Sequence, residues 1–222
     1  AKYESGSEIK YSVKEVTVQG YESAIEETAE NTFTITNTYE PETVTISGSK
    51  TWEDEENQDG KRPASITVNL LANGEKVQSK TVTEAENWAW SFKDLPKNKN
   101  GQEIVYTISE ETVEGYQTEV EGYDITNTYT PEQITVSVNK IWEDENNQDG
   151  KRPTSITVKL LADGEVIKTQ VLTAENQWTY NWTGLDKFKD GNEIDYTVTE
   201  DAVEGYQTTV DNSVDNVFAI TN

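Results

Sequence analysis

Three residue types recur in this chain at fixed positions from which they could act together: a lysine, a glutamate and an asparagine. Lys50 and Lys140 each lie two residues before a tryptophan, Trp52 and Trp142. Glu15, Glu110 and Glu200 each fall four residues after a tyrosine, and Asn37, Asn127 and Asn222 end three Ile-Thr-Asn triplets. Taken singly, a strand lysine is usually solvated and an asparagine usually caps a strand end. The lysines depart from that pattern. Ile134, Val136 and Val138 share one face of an alternating strand, and the same parity puts Lys140 and Trp142 on that apolar face; Val44, Ile46, Gly48, Lys50 and Trp52 repeat the arrangement. An unpaired buried ammonium is costly, so such a lysine must find a partner or give up its charge.

The elements that position these residues come from an internal repeat. Trp142 follows Trp52 by ninety residues, and GSKTWEDEENQDGKRP returns as SVNKIWEDENNQDGKRP. Residues 1 to 39 align with the closing half of the same unit and include Glu15 and Asn37, but no lysine strand precedes them. The division expected is therefore 1–40 as a partial repeat, 41–130 and 131–222, joined by the links Tyr-Glu-Pro-Glu and Tyr-Thr-Pro-Glu. Short Pro-containing links act as semi-rigid spacers, so the units are expected to form a rod. Within a unit the apolar period is two, as in Ile66, Val68, Leu70 and Ile104, Tyr106, Ile108, with β-branched and aromatic residues dominating. Turn pairs interrupt the strands at Asp59-Gly60, Asn73-Gly74, Asn100-Gly101 and Glu114-Gly115. The fold expected is all-β, a sandwich of about seven short strands per unit.

Composition removes whole classes of function. With 18 Lys and Arg against 42 Asp and Glu, the net charge is −24, which repels phosphate backbones and anionic lipid, so no nucleic acid partner is expected. The absence of cysteine and histidine takes away disulfides, thiol nucleophiles, histidine general bases and the usual zinc ligands. No cofactor or metal is expected. No apolar run is long enough to span a membrane and no signal segment opens the chain, which is expected to be an internal fragment or a mature soluble protein, and a monomer.

Two further features have plain explanations. The runs Glu55-x-Asn57-x-Asp59-Gly60 and Glu145-x-Asn147-x-Asp149-Gly150 imitate the start of a calcium loop, but the twelfth position, which needs a bidentate Glu, is Ile66 or Ile156. A solvated acidic turn is the better expectation, with weak cation binding the alternative. The six tryptophans, Trp52, Trp88, Trp90, Trp142, Trp178 and Trp182, could form an aromatic ligand platform; their placement inside strand patterns favours core packing.

The combined pattern of strand lysine, Lys-x-Trp, acidic Asn-Gln-Asp-Gly-Lys-Arg-Pro turn, Tyr-Thr-x-x-Glu, Glu-Gly-Tyr and closing Ile-Thr-Asn resembles the Cna-B family of Gram-positive surface proteins, the B-type repeat of the staphylococcal collagen adhesin. The resemblance covers the whole chain and implies tandem inverse immunoglobulin-like β-sandwich domains. In that family a first-strand lysine and a last-strand asparagine form an intramolecular isopeptide bond, promoted by a glutamate on a middle strand. By position, Lys50 and Lys140 match the nucleophile, Glu110 and Glu200 the catalytic acid, and Asn127 and Asn222 the electrophile. Glu15 and Asn37 match in the first unit without a lysine to complete the set. The residue types suit the chemistry. Desolvation favours the uncharged form of each group, so a neutral amine can attack while a protonated carboxyl hydrogen-bonds the amide oxygen and shuttles protons.

The resemblance implies a stalk on the outside of a Gram-positive cell, attached to the cell wall, that turns over no substrate and closes its own amide bonds once. Its partners are expected to be neighbouring domains of the same surface protein, with any host matrix ligand held by a separate head domain. One alternative is a module that itself grips a host matrix protein, which calls for an exposed apolar or aromatic patch. The other is an enzyme on a β-sandwich, which calls for a cleft lined by paired carboxylates away from the lysines.

Overall fold

The computed structural model describes residues 1–222, and its regular structure is strand apart from two short 3-10 turns. In the first complete repeat, the opening strand Thr43–Glu53 lies inside a four-stranded sheet, between Asp124–Thr128 and Ala89–Pro96, with Gln117–Glu121 at the edge. A three-stranded sheet, Tyr106–Glu110, Ser65–Ala72 and Glu75–Thr83, faces it. Every pairing is antiparallel except one. The opening and closing strands run side by side in parallel, with Ile125 opposite Lys50 and Asn127 opposite Trp52. Residues 133–221 repeat this arrangement, with Gln133–Ile141 parallel to Val217–Thr221 and Lys140 opposite Ile220. This is the inverse immunoglobulin-like sandwich, in which the first and last strands are neighbours.

The expected alternation is what is observed. On the opening strand Ile46 and Lys50 are buried and Val44, Gly48 and Trp52 partly so, while Thr45, Ser47, Ser49 and Thr51 are exposed. The apolar faces of the two sheets close over separate cores of 12 buried residues each, one centred on Val68, Leu70 and Ile125, the other on Val158, Leu160 and Ile220. Asn73-Gly74 and Asp163-Gly164 both take positive φ, the turn that suits the twist of the hairpins they close. Gly48 is required by a close approach: a Cβ there would fall 1.7 Å from the Tyr123 carbonyl oxygen in the closing hairpin. The aligned position in the second complete repeat is Val138, where the closing hairpin is longer and its turn lies elsewhere.

Residues 1–39 form two hairpins, Tyr3–Glu4 with Ser7–Glu8 and Glu22–Ala29 with Thr32–Thr38. Tyr11 to Glu15, which align with the strand Tyr106–Glu110, form no strand. Tyr106–Glu110 is held by pairing with Ser65–Ala72, and nothing in residues 1–39 takes the place of that partner. The apolar face of the longer hairpin is uncovered, with Ile25 and Ile35 exposed. No hydrogen bond or salt bridge joins residues 1–38 to the repeats that follow. Deleting residues 1–39 is therefore expected to shift the melting of the remainder by no more than about 2 °C. A calorimetric scan showing a larger fall would mean that this segment packs on its neighbour.

Candidate functional site

Lysine, glutamate and asparagine meet between the two sheets. Lys50 and Asn127 come from adjacent parallel strands of one sheet, and Glu110 from the last position of a strand in the other. Lys50 Nζ lies 3.1 Å from Glu110 Oε1, and both side chains are 0% exposed. In the second repeat Lys140 Nζ lies 3.3 Å from Glu200 Oε1, again with both side chains fully shielded. Burial pushes both lysine pKa values down from the ordinary range, and the adjacent glutamate restores only part of the loss. Each ammonium also sits by the ring of its own strand's tryptophan, 4.7 Å from Trp52 and 4.5 Å from Trp142.

Beyond the ionic lysine–glutamate approach, Lys50 Nζ, Glu110 Oε1 and both amide atoms of Asn127 are buried without a hydrogen-bond partner, and so are Lys140 Nζ, Glu200 Oε1 and Asn222 Oδ1. Asn222 Nδ2 does donate to Glu200 Oε2, at 2.8 Å. The set without a lysine is similar: Asn37 Nδ2 donates to Glu15 Oε1 at 2.8 Å. The carboxylate and carboxamide are thus brought together by the closing half of a repeat alone, and the opening strand adds the amine. An amine, a carboxyl and a carboxamide shielded together from solvent have the groups needed to form an amide with release of ammonia.

The Cna protein B-type domain family matches residues 1–38, 46–128 and 136–222, most of the chain. The chain belongs to that family. It is 48% identical over 220 residues to the collagen adhesin of Staphylococcus aureus, covering 98% of this chain and 19% of that protein, so it spans about a fifth of that relative's length. The crystal structure of two B repeat units (B1B2) of the collagen-binding protein (Cna) of Staphylococcus aureus is 46% identical. It covers 100% of this chain, which spans 60% of that one, with a TM-score of 0.54.

Two parts of these B-type domains escape a reading of the sequence. A threonine holds the glutamate's second oxygen: Thr118 Oγ1 donates to Glu110 Oε2 at 3.0 Å and Thr208 Oγ1 to Glu200 Oε2 at 2.9 Å. Ser23 does the same for Glu15, at 2.6 Å. The signal was a hydroxyl residue two places after each Gly-Tyr pair. The second part is the acidic turn, whose first aspartate is not solvated. Asp54 is 2% exposed. It accepts from Arg62 Nε at 3.0 Å, Tyr116 OH at 2.9 Å and the Asn57 N–H at 3.0 Å. Asp144, Arg152, Tyr206 and Asn147 repeat the network. Arg62 then lies 5.4 Å from Trp52, whose ring meets Trp88 and Tyr116 edge-on, so the network closes the end of the sandwich beside the lysine. Ile66 and Ile156, at the calcium loop's twelfth position, are core residues, and Trp88, Trp90 and Trp182 are buried.

Proposed function

We propose that the chain is a length of stalk: B-type domains at 41–130 and 131–222 with the closing part of another at 1–40, spacing a binding head from the wall of a Gram-positive cell. Each complete domain staples itself by an amide, Lys50 to Asn127 and Lys140 to Asn222, with Glu110 and Glu200 carrying the protons. What supports this is the cluster of buried polar atoms without hydrogen-bond partners at Lys50, Glu110 and Asn127. Left as separate groups they carry a desolvation cost that the lysine–glutamate approach and the Trp52 ring repay only in part. Joined, the amine and carboxamide become one secondary amide whose N–H and C=O can be met by the glutamate.

In the reaction, the Lys50 Nζ lone pair attacks Asn127 Cγ while Glu110, protonated, donates to the carboxamide oxygen. A C–N bond forms, the Cγ–Nδ2 bond breaks, and the glutamate passes the amine's proton to the departing nitrogen, which leaves as ammonia. Folding supplies the proximity, and each site reacts once, so there is no turnover. The staple ties the first strand to its parallel neighbour, the last, so tension between the ends of a domain is borne by covalent bonds. Collagen contact, which the name of the relative assigns to that protein, is placed outside this chain.

The intact mass of the folded chain is expected to fall short of the sequence mass by two ammonias. A full sequence mass would overturn the stapling. Micromolar binding of collagen by this chain alone would overturn the spacer role.

A further inference from the structure

The closing hairpin brings a hydroxyl to the glutamate along with the carboxamide. Thr118 lies across the strand pair from Asn127, and Ser23 lies across from Asn37 in the same way. In the 131–222 domain Thr209 is opposite Thr221, which puts Thr208 beside Asn222. Opposed residues of an antiparallel pair project from one face, so hydroxyl and asparagine reach the facing sheet together. Each hydroxyl meets the glutamate eight residues before it, at 3.0 Å from Thr118 to Glu110, 2.9 Å from Thr208 to Glu200 and 2.6 Å from Ser23 to Glu15. The bond is made beside Asn37, where no lysine stands, so it belongs to the hairpin and is not a response to the amine.

The two oxygens of the carboxyl are thereby given different neighbours. Lys50 Nζ stands 3.1 Å from Glu110 Oε1, while Thr118 holds Oε2; Lys140 Nζ stands 3.3 Å from Glu200 Oε1, while Thr208 holds Oε2. Beyond the ionic approach of Lys50, the hydrogen bond from Thr118 is the one that the Glu110 carboxyl receives. The terminal torsion of a glutamate is broad and roughly two-fold, so a carboxyl without such a bond has no fixed plane. A hydroxyl donating to Oε2 marks that oxygen as an acceptor, and Asn222 Nδ2 donates to Glu200 Oε2 as well, at 2.8 Å. Oε1, facing the amine, is then the oxygen left to carry the proton. We propose that Thr118 and Thr208 are positioning residues of the stapling reaction, each fixing the plane of its glutamate so that Oε1 faces the lysine nitrogen as Nζ bonds to the asparagine Cγ. The threonine itself makes and breaks no covalent bond. Both threonines are exposed, whereas the glutamate side chains are fully shielded, so the hydroxyl stands at the solvent edge of the site and its removal opens no cavity in the core. This rests on the stapling reading, since without an amide to form there is nothing to position.

The test follows stapling in time. The full chain is made by cell-free synthesis, samples are quenched in acid at intervals, and crosslinked peptides released by protease assign each lost ammonia to its domain. Thr208→Val, which keeps the branched shape and removes the hydroxyl, is expected to slow stapling of the 131–222 domain by about tenfold or more. The 41–130 domain of the same molecules is expected to close at the wild-type rate. Thr208→Ser keeps the hydroxyl and is expected to staple at nearly the wild-type rate, as Ser23 already holds Glu15. Strand packing alone gives the opposite order, because valine suits a strand as well as threonine does and serine suits it less. The proposal is overturned if Thr208→Val keeps pace with wild type, or if Thr208→Ser is as slow as Thr208→Val. Thr118→Val repeats the comparison in the other domain; failure of both valine variants to fold, read by tryptophan fluorescence, would assign the hydroxyl to structure and overturn the proposal too. A wild-type chain that loses no ammonia would bring down stapling and positioning together, whereas fast valine variants of a chain that does staple bring down the positioning alone.

Discussion

Glu200→Gln is expected to leave the chain one ammonia heavier than wild type and to lower the melting of the 131–222 domain by roughly 20–30 °C, with the 41–130 domain unmoved. The proposed staple would close a loop of about 80 residues, for which the chain-entropy treatment of crosslinks gives about 4.5 kcal/mol. For a domain of this size each kcal/mol is worth about 4–8 °C. Glutamine keeps the shape and can still meet Thr208 and Asn222, but it cannot carry the proton. It also leaves Lys140 buried without a counter-charge, which adds a cost unrelated to the staple. Lys140→Met combined with Glu200→Gln separates the two effects, since it removes the staple and both buried charges; a similar fall in the double variant assigns the loss to the staple. The pH dependence gives a second reading. In the unstapled Glu200→Gln domain Lys140 titrates with its pKa depressed by burial, so the unfolded chain binds more protons and stability rises as pH climbs toward the ordinary lysine value of 10.5. A stapled Nζ is an amide nitrogen and gives no such slope. Wild-type mass in the Glu200→Gln chain would sink the assigned role of the glutamate.

How much of this was legible in the sequence depends on the range of the signal. The burial of Lys50 and Lys140 follows from strand parity, which is local and obeys a strict period of two, so the inward lysines were visible before any fold. That Glu110 and Asn127 would meet Lys50 required knowing which strands neighbour which, and parity is silent on that; the family resemblance supplied it. The acidic turn reads as solvated in the sequence because Glu55 to Asp59 lack the bidentate Glu that would complete a calcium loop and show no local partner. What buries Asp54 and Asp59 is distant: Arg62 and Tyr116 for the first, Tyr129 and the next domain for the second. The missing strand at Tyr11 to Glu15 teaches the complementary lesson. Its pattern matches Tyr106 to Glu110, yet a strand pattern becomes a strand only when another strand satisfies its backbone.

Asp54→Ala is expected to destabilise the 41–130 domain by about 3–5 kcal/mol, roughly 15–30 °C in melting, although Asp54 touches none of the stapling groups. The carboxylate is the shared acceptor for Arg62, Tyr116 and the Asn57 N–H. Without it a guanidinium whose side chain is 22% exposed is left uncompensated against Trp52, and the left-handed run from Glu55 to Asn57 loses the bond that holds it. Asp54→Asn keeps part of the hydrogen bonding and is expected to lose less. Acid behaviour should separate the two from wild type. Burial alone would raise the Asp54 pKa, but the bonds from Arg62, Tyr116 and Asn57 outweigh it and hold the value below 3.8. The unfolded chain therefore takes up a proton first as pH falls, so the stabilisation is complete above the ordinary carboxyl range and drains away as pH drops below it toward the folded value. Wild type should show that acid-side loss in the 41–130 domain, and Asp54→Ala should lack it while melting lower at neutral pH. An unchanged melting temperature, or an acid slope identical to wild type in the alanine variant, would show that Trp52 and the turn are held by packing and that the aspartate is dispensable. The mass of the Asp54→Ala chain should still be two ammonias short, since the lysine, glutamate and asparagine remain between their sheets once the domain has folded.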